Sequence, residues 1–425
     1  MGISDIRAKV GRNPAVVDSF YLTLLQGLNQ LLPLIVMPYL FATLGAGGYG
    51  HVGFSLTVIQ YLVLVVDFGF NYSATKDIAQ AGDDKAKRTR IFWSVVKAKA
   101  LLMIVAAVVL LALVAFVPTF QKYSLALYCT LPMLVGNTFT FLWLYQGIGR
   151  IKLLTIMNAI CKLCILPFIF VCVKQPADFA LAALLQSSVY VVAAVVSGIV
   201  LYRLHVVGSP SGNMSDVRQA LKRSLPLFVS TAASSVYTQL FVVVLAFFCT
   251  EEVIGQYSAA ERLMRALCFG IFGPLNQAYF PRISAAAVDD RREARRLFRQ
   301  VRLLISIAMV ILAIALVGFA PLFPRIFGAD YAGIEPILRV MGLAPISIGI
   351  GGVYGLMGLI ALGNEQTKHV FGFCYIIAAG FALVCICTAI PLGKEFGTAL
   401  ALLATETLVC LLMIYNYKKY KLSTI

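Results

Sequence analysis

Six charged residues stand inside long apolar stretches of this chain: Asp67, Lys162, Glu261, Arg262, Arg265 and Glu406. A charge at bilayer depth is costly and seldom faces lipid, so each marks a protein interior, a wet cavity or a transport path. Arg262 and Arg265 carry planar forks of donors that suit phosphate, and Lys162 adds a third cation. Asp67, Glu406 and Glu261 are the candidates for coupling to H+ or Na+. Glu406 serves equally well as a helix-packing residue, and Glu261 has the i, i+4 spacing to pair with Arg265 along one helix. Mutual neutralisation of three acids and three bases, with no transport role, is the competing reading. Catalysis has no comparable set of residues. His51, His205 and His369 are scattered, none lies at ligand spacing from a Cys or carboxylate, and there is no Walker A sequence. No cofactor or metal is expected, and the chain is read as a non-enzyme.

These charges need helices to place them. In the stretch 251–284, Ser258, Arg262, Arg265, Phe269, Phe272 and Asn276 recur at steps of four and three, which puts them on one helical face. A shift of 205 positions carries this stripe onto Gly53, Thr57, Gln60, Leu64, Asp67 and Asn71, and Gly255 onto Gly50. The same shift carries Thr231, Ser234, Ser235 and Thr238 onto Gln26, Asn29, Gln30 and Pro33. Two helix pairs far apart in sequence therefore present polar stripes at equivalent places, the mark of an internal repeat. The polar members Asn29, Gln30, Gln60, Asn71 and Asn276 join Arg262, Arg265 and Lys162 as candidate substrate-binding residues.

Composition fixes the class. With 60% hydrophobic and 13% charged residues over 425 positions, the chain reads as an all-α, polytopic membrane protein. Twelve spans are expected, near 16–42, 51–74, 91–117, 123–146, 152–173, 178–202, 222–248, 253–279, 300–320, 337–361, 369–390 and 396–416. The net charge of +16 does not point to nucleic acid, because 27 of the 35 Lys and Arg fall in alternate connecting segments and termini and five on the opposite side. That bias places both termini in the cytoplasm. Two six-helix lobes follow, 1–202 and 222–425, joined by a polar cytoplasmic linker, 203–221. Each has an even number of spans, so the repeats are related by an axis along the membrane normal. The basic stretch 282–302 reads as a topology anchor and a contact for anionic membrane lipids. The ten cysteines, Cys161 and Cys164 included, read as small buried hydrophobes. No cleavable signal is expected.

The segments LGAGGYGHVGF (44–54), DFGFNYSATKDIA (67–79), IGQYSAAERLMRAL (254–267), YFPRIS (279–284) and ALLATE (401–406) are similar to those of the O-antigen flippases, the Wzx family of polysaccharide transporters. These belong to the multidrug/oligosaccharidyl-lipid/polysaccharide exporter superfamily. The resemblance covers essentially the whole chain. It implies two six-helix lobes in a V around a central cavity lined by the first two helices of each lobe. It implies as substrate an undecaprenyl-pyrophosphate-linked O-antigen repeat unit, flipped from the cytoplasmic to the periplasmic face of the bacterial inner membrane. It also implies a cationic cavity for the anionic head, with Arg262 and Arg265 in that role and Asp67 in ion coupling. An O-antigen polymerase and a chain-length regulator are the protein partners it suggests. The rival readings are a multidrug or organic-cation antiporter of the same superfamily, an O-antigen polymerase or membrane glycosyltransferase, and a lipid II flippase, a family that usually adds two further helices. A polymerase or transferase typically needs a large extramembrane catalytic loop, and the expected loops are short.

Overall fold

The computed structural model describes residues 14–420, with side chains from Ile35 onward except at 151, 230, 233–234, 236–239, 288–289 and 365. Every regular element among them is helical. In chain order the principal helices are α1 Pro14–Asp67, α2 Phe70–Ala81, α3 Lys85–Phe116, α4 Ser124–Thr138, α5 Leu142–Gly147, α6 Ile151–Cys172 and α7 Phe179–Leu204. They continue as α8 Met214–Leu245, α9 Glu251–Asp289, α10 Arg291–Phe319, α11 Ile334–Met341, α12 Ala344–Gly352 and α13 Glu365–Lys419, with a π-helical turn Val353–Ala361 after α12. Each of the twelve expected stretches is helical over most of its length, with turns at 68–69, 139–141 and 342–343.

Among the described residues, eight helical segments are long and apolar enough to cross a membrane: Ile35–Ala81, Lys85–Phe116, Ser124–Gly147, Lys152–Cys172, Pro176–Leu204, Arg291–Phe327, Ile334–Ala361 and Gln366–Lys419. The 54 residues of the last would reach ~80 Å if straight, against a hydrocarbon core of ~30 Å. α13 is broken at Lys394, where φ is 45°, and α1 is broken at Gly45, where φ is 64°. α9 falls outside the set because Glu261, Arg262 and Arg265 interrupt its apolar run, and α8 includes positions outside the described side chains. α10 shows the membrane pattern well. Phe298, Val301, Ile305, Met309 and Leu312 are buried, while Leu303, Leu304, Ile307, Ile311 and Ile314 are exposed. A helix apolar on both faces buries one in protein and offers the other to lipid. All ten cysteines are free. Cys164, Cys172 and Cys387 are exposed on such helices, which corrects the expectation that the cysteines are buried.

The most extensive helix pairing joins α1 to α9, the two helices that carry the matched stripes. Their backbones touch. A Cβ on Gly255 would overlap the carbonyl of Ala46, one on Gly50 would overlap the carbonyl of Glu251, and one on Gly53 would lie 2.7 Å from Ser258 Oγ. Under the 205-residue shift Ala46 matches Glu251, Gly50 matches Gly255 and Gly53 matches Ser258. Contacts are thus exchanged reciprocally, as across a two-fold interface. Small residues allow such close crossings where no hydrophobic effect drives helices together.

Two further features set how the elements are held. Beyond Asp67 the chain turns through two left-handed residues, Phe68 (φ 42°) and Gly69 (φ 76°), into α2. There Phe68 stacks on Phe228 of α8 at 4.5 Å, and the Ser73 and Ser224 hydroxyls lie 2.6 Å apart. The connection from α7 to α8 is strapped along α3. Trp93 Nε1 donates to the Gly208 carbonyl (3.1 Å), Arg88 Nε to Val206 (3.1 Å) and Lys97 Nζ to Gly212 (2.9 Å), and Arg90 pairs with Asp216 at 2.6 Å. The Arg90 hydrogen bonds, with those from the Asn213 backbone, hold the Asp216 carboxyl below its ordinary range. The polar linker is held along α3 over its middle.

Replacing Gly255 with Val is expected to push α1 and α9 apart and destabilise the protein by roughly 1–3 kcal/mol or more, the usual cost of overpacking. Melting of the purified protein in detergent checks this. Gly270→Val is the control, since nothing lies within 4 Å of a Cβ added there.

Candidate functional site

Just past the glycine crossing, α1 and α9 diverge and a cavity of about 550 Å³ opens between them, with α4, α7 and α8 completing its wall. Thr57 and Gln60 enter it from α1, Gln186 and Tyr190 from α7, and Glu261, Arg262 and Arg265 from α9. The helical spacing read in the sequence is what delivers these side chains to one side. Ser258 packs in the crossing itself, Phe269 continues the cavity wall, and Phe272 packs against Gly352.

The two arginines are in different electrical states. Arg265 Nε donates to Glu261 Oε1 at 2.9 Å, and its Nη1 lies 3.6 Å from Glu406 Oε1. Both acids are buried, so two carboxylates share one guanidinium. Arg262 has no carboxylate within ion-pair distance among the described residues. Its Nη2 donates to the Gly53 carbonyl at 3.2 Å, and its Cζ stands 5.9 Å from the centre of the buried Tyr49 ring. Thr57 Oγ1 donates to the same carbonyl at 2.8 Å. Arg262 is therefore placed by backbone and ring, not by a counter-ion. Its fork lies at the cavity with charge to spare.

A second cavity, about 380 Å³, is enclosed by α1 to α7 and holds Asp67, Asn71, Lys99, Asn137, Asn158 and Lys162. Tyr190 lines both cavities. Asp67 Oδ1 accepts from Lys99 Nζ at 2.9 Å and from Asn137 Nδ2 at 3.1 Å, and Lys99 is only 3% exposed. Lys162 has no ion-pair partner among the described residues.

The six expected intramembrane charges thus fall into two groups. Arg262, Arg265, Glu261 and Glu406 come together with Gln60, whereas Asp67, Asn71 and Lys162 share the neighbouring cavity. This corrects the expectation of one chamber holding Asp67 with the arginines. Lys99, assigned from sequence to a cytoplasmic segment, lies buried in α3 and neutralises Asp67; its position inside the expected span 91–117 was the available signal. Asn137 and Asn158 are isolated amides within apolar runs, and no partner pattern in the sequence marks them. Asn276 lines neither cavity, and its Oδ1 is buried without a hydrogen-bond partner. Asn29 and Gln30, with Gln26, Pro33, Ser234 and Thr238, lie outside the described side chains.

Residues 15–287 match the family described as polysaccharide biosynthesis protein. The chain is 33% identical over 403 residues to "Putative O-antigen transporter" of Escherichia coli (strain K12), covering 95% of this chain and 96% of that one. The chain belongs to this family, that of the O-antigen flippases its sequence resembles. A relative of the same name from Shigella dysenteriae is 27% identical over 407 residues, covering 93% and 98% of the two chains. Among solved structures, lipid II flippase MurJ in an inward closed conformation superposes with a TM-score of 0.72 at 15% identity, covering 95% of this chain and 87% of that one. An inward-facing multidrug resistance MATE family transporter of the MOP superfamily gives 0.67 at 14% identity, covering 93% and 94%. These likenesses show the fold, a multi-pass helical membrane architecture.

Replacing Lys99 with Met strands the Asp67 carboxylate with one amide partner. Breaking a buried pair from one side costs roughly 3–5 kcal/mol, and Asp67, 22% exposed at its cavity, belongs at the low end. The double variant Asp67→Leu/Lys99→Met is expected to recover most of the loss in melting temperature.

Proposed function

We propose that the protein flips undecaprenyl-pyrophosphate-linked O-antigen repeat units from the cytoplasmic to the periplasmic face of the inner membrane. The observation that carries this reading is Arg262, an unneutralised guanidinium fork at a wet cavity in the middle of a membrane protein. A diphosphate supplies what Arg262 lacks, and it does so bidentately. The sugar hydroxyls are costly to bring into hydrocarbon without partners, so the head travels through the protein while the polyprenyl chain stays in lipid. The inside-negative potential assists an outward-moving anion by roughly 2.3 kcal/mol per charge per 100 mV if the whole field is crossed.

We read the helices as twelve spans in two six-helix lobes, with both termini cytoplasmic. The eight apolar segments include two that are broken midway, and α8 and α9 add a further pair. In this frame the glycine crossing and the Lys122–Glu251 pair (2.8 Å) close the periplasmic end, and Phe68 on Phe228 narrows the cytoplasmic one. Alternating access exchanges these two contacts around the cavity. Because the linker is strapped to α3, the first lobe and linker move as one body.

Glu261 and Glu406 are the better-placed coupling acids, since Asp67 is already matched by Lys99. A diphosphate that draws Arg265 away leaves both acids short of their cation, and a proton or sodium ion restores the balance. An organic-cation antiporter would need an acidic cavity without the fork of Arg262.

In proteoliposomes given a lipid-linked repeat unit, Arg262→Ala is expected to lower flipping about tenfold or more, the worth of a charged hydrogen bond of ~1.5–3 kcal/mol. Arg262→Lys restores only part, as a point charge lacks the fork. Full activity of Arg262→Ala in folded protein removes it from the site. Glu406→Gln is expected to flatten the dependence of flipping on an imposed pH gradient, and an unchanged dependence excludes it from proton coupling.

A further inference from the structure

The second cavity is built for something other than a phosphate or an ion. Its polar groups are mostly amides and hydroxyls: Asn71, Asn137, Asn158 and Gln146, with Thr140 and Thr155. Each of these both donates and accepts, or does so in turn, and that pairing of roles is what a sugar hydroxyl also offers. Lys99 and Lys162 against Asp67 leave one positive charge in the cavity, and Lys99 Nζ already sits on Asp67. A metal cation would have to displace that ammonium beside a second lysine. A phosphate would face Asp67 with only point-charge donors, while the fork of Arg262 waits next door.

The acceptors and donors that remain are well placed for a neutral, hydroxyl-rich ligand. Lys99 and Asn137 both donate to Oδ1 of Asp67, so among the described residues Oδ2 is left to accept from a hydroxyl. Lys162 lies four residues after Asn158 on α6, so the two share one face and reach the cavity together. The two cavities adjoin at Tyr190 on α7. Gln60 in one and Asp67 in the other are seven residues apart on α1, a rise of about 10 Å. A ligand with a diphosphate at Arg262 thus has its next groups at the mouth of the second cavity.

The geometry points to a saccharide subsite: the cavity formed by Asp67, Asn71, Asn137, Asn158 and Lys162 takes one or two sugar rings of the head group through their hydroxyls, apart from the diphosphate at Arg262. Tyr190, at the junction, is the ring against which a pyranose would lie as it turns from one cavity to the other. This rests on the transport reading above and adds where the sugar is recognised. It removes Asp67 and Lys162 from ion coupling and phosphate binding and makes them determinants of which glycan is accepted.

The test is binding to the full chain in nanodiscs with two probes measured separately. One is the free oligosaccharide released by mild acid from the producing strain's own O-antigen. The other is decaprenyl diphosphate with no sugar. Asn158→Ala/Lys162→Ala is expected to weaken oligosaccharide binding at least tenfold while decaprenyl diphosphate binding changes less than twofold, which also shows that the variant is folded. Arg262→Ala is expected to give the reverse. Oligosaccharide binding equal to wild type in the double variant overturns the subsite, as does parallel loss of both probes or failure of the wild type to bind the oligosaccharide. Saccharide discrimination with no binding of decaprenyl diphosphate by the wild type supports the subsite and overturns the assignment of Arg262 instead.

Discussion

Backbone contact between α1 and α9 governs the rest of the molecule. At Gly50 and Gly255 neither helix has a side chain to hold the other off, so the carbonyls of Ala46 and Glu251 come as near as van der Waals contact permits. Two helices that meet so closely at one point and cross at an angle must separate on either side of it. The polar stripes begin where separation begins, at Thr57 on one helix and Arg262 on the other. A cavity at that depth is the geometric result of the crossing, and its wetting follows from the residues that line it. Larger residues at either glycine would move the divergence point and, with it, every group that reaches the cavity.

The charges are arranged so that not all of them cancel. Arg265 is bracketed by Glu261 and Glu406, a cluster that fixes α9 against α13. Asp67 and Lys99 do the same for the end of α1 against α3, with Asn137 completing the shell. Such pairs hold helices in register more than they add net stability. Arg262 and Lys162 lie outside this scheme. A structural protein has little reason to keep two unmatched cations at membrane depth, and both stand at cavities. The unmatched charges, more than the number of charges, separate transport machinery from packing.

Much of this was legible in the sequence, and the limits have physical causes. The repeat was visible because Gly50/Gly255 and Asn71/Asn276 keep their spacing over 205 residues, and the stripe on α9 because Arg262 and Arg265 interrupt an apolar run at helical period. What no periodicity reports is which helix lies opposite. Lys99 and Asp67 are 32 positions apart, and Asn137 is 70 from Asp67. A lysine near the start of an apolar run reads as an interfacial anchor until its partner is known. The breaks at Phe68 and Lys394 are non-glycine residues with positive φ, which nothing local announces. The strap of residues 206–212 along α3 depends on Trp93 and Arg88 meeting carbonyls more than a hundred positions away.

The reciprocity of the crossing also shows what the two copies have stopped sharing. Across it, Thr57 is matched by Arg262 and Gln60 by Arg265, so one copy presents neutral hydrogen-bonding groups where the other presents guanidinium. A ligand at the centre of a symmetric frame is therefore pulled from one side only. An anionic head group would lie off the axis, with its charged end toward α9 and its remaining bulk toward α1 and α7. Broken symmetry of this kind would give such a cargo a fixed heading, with every molecule presenting the same end first.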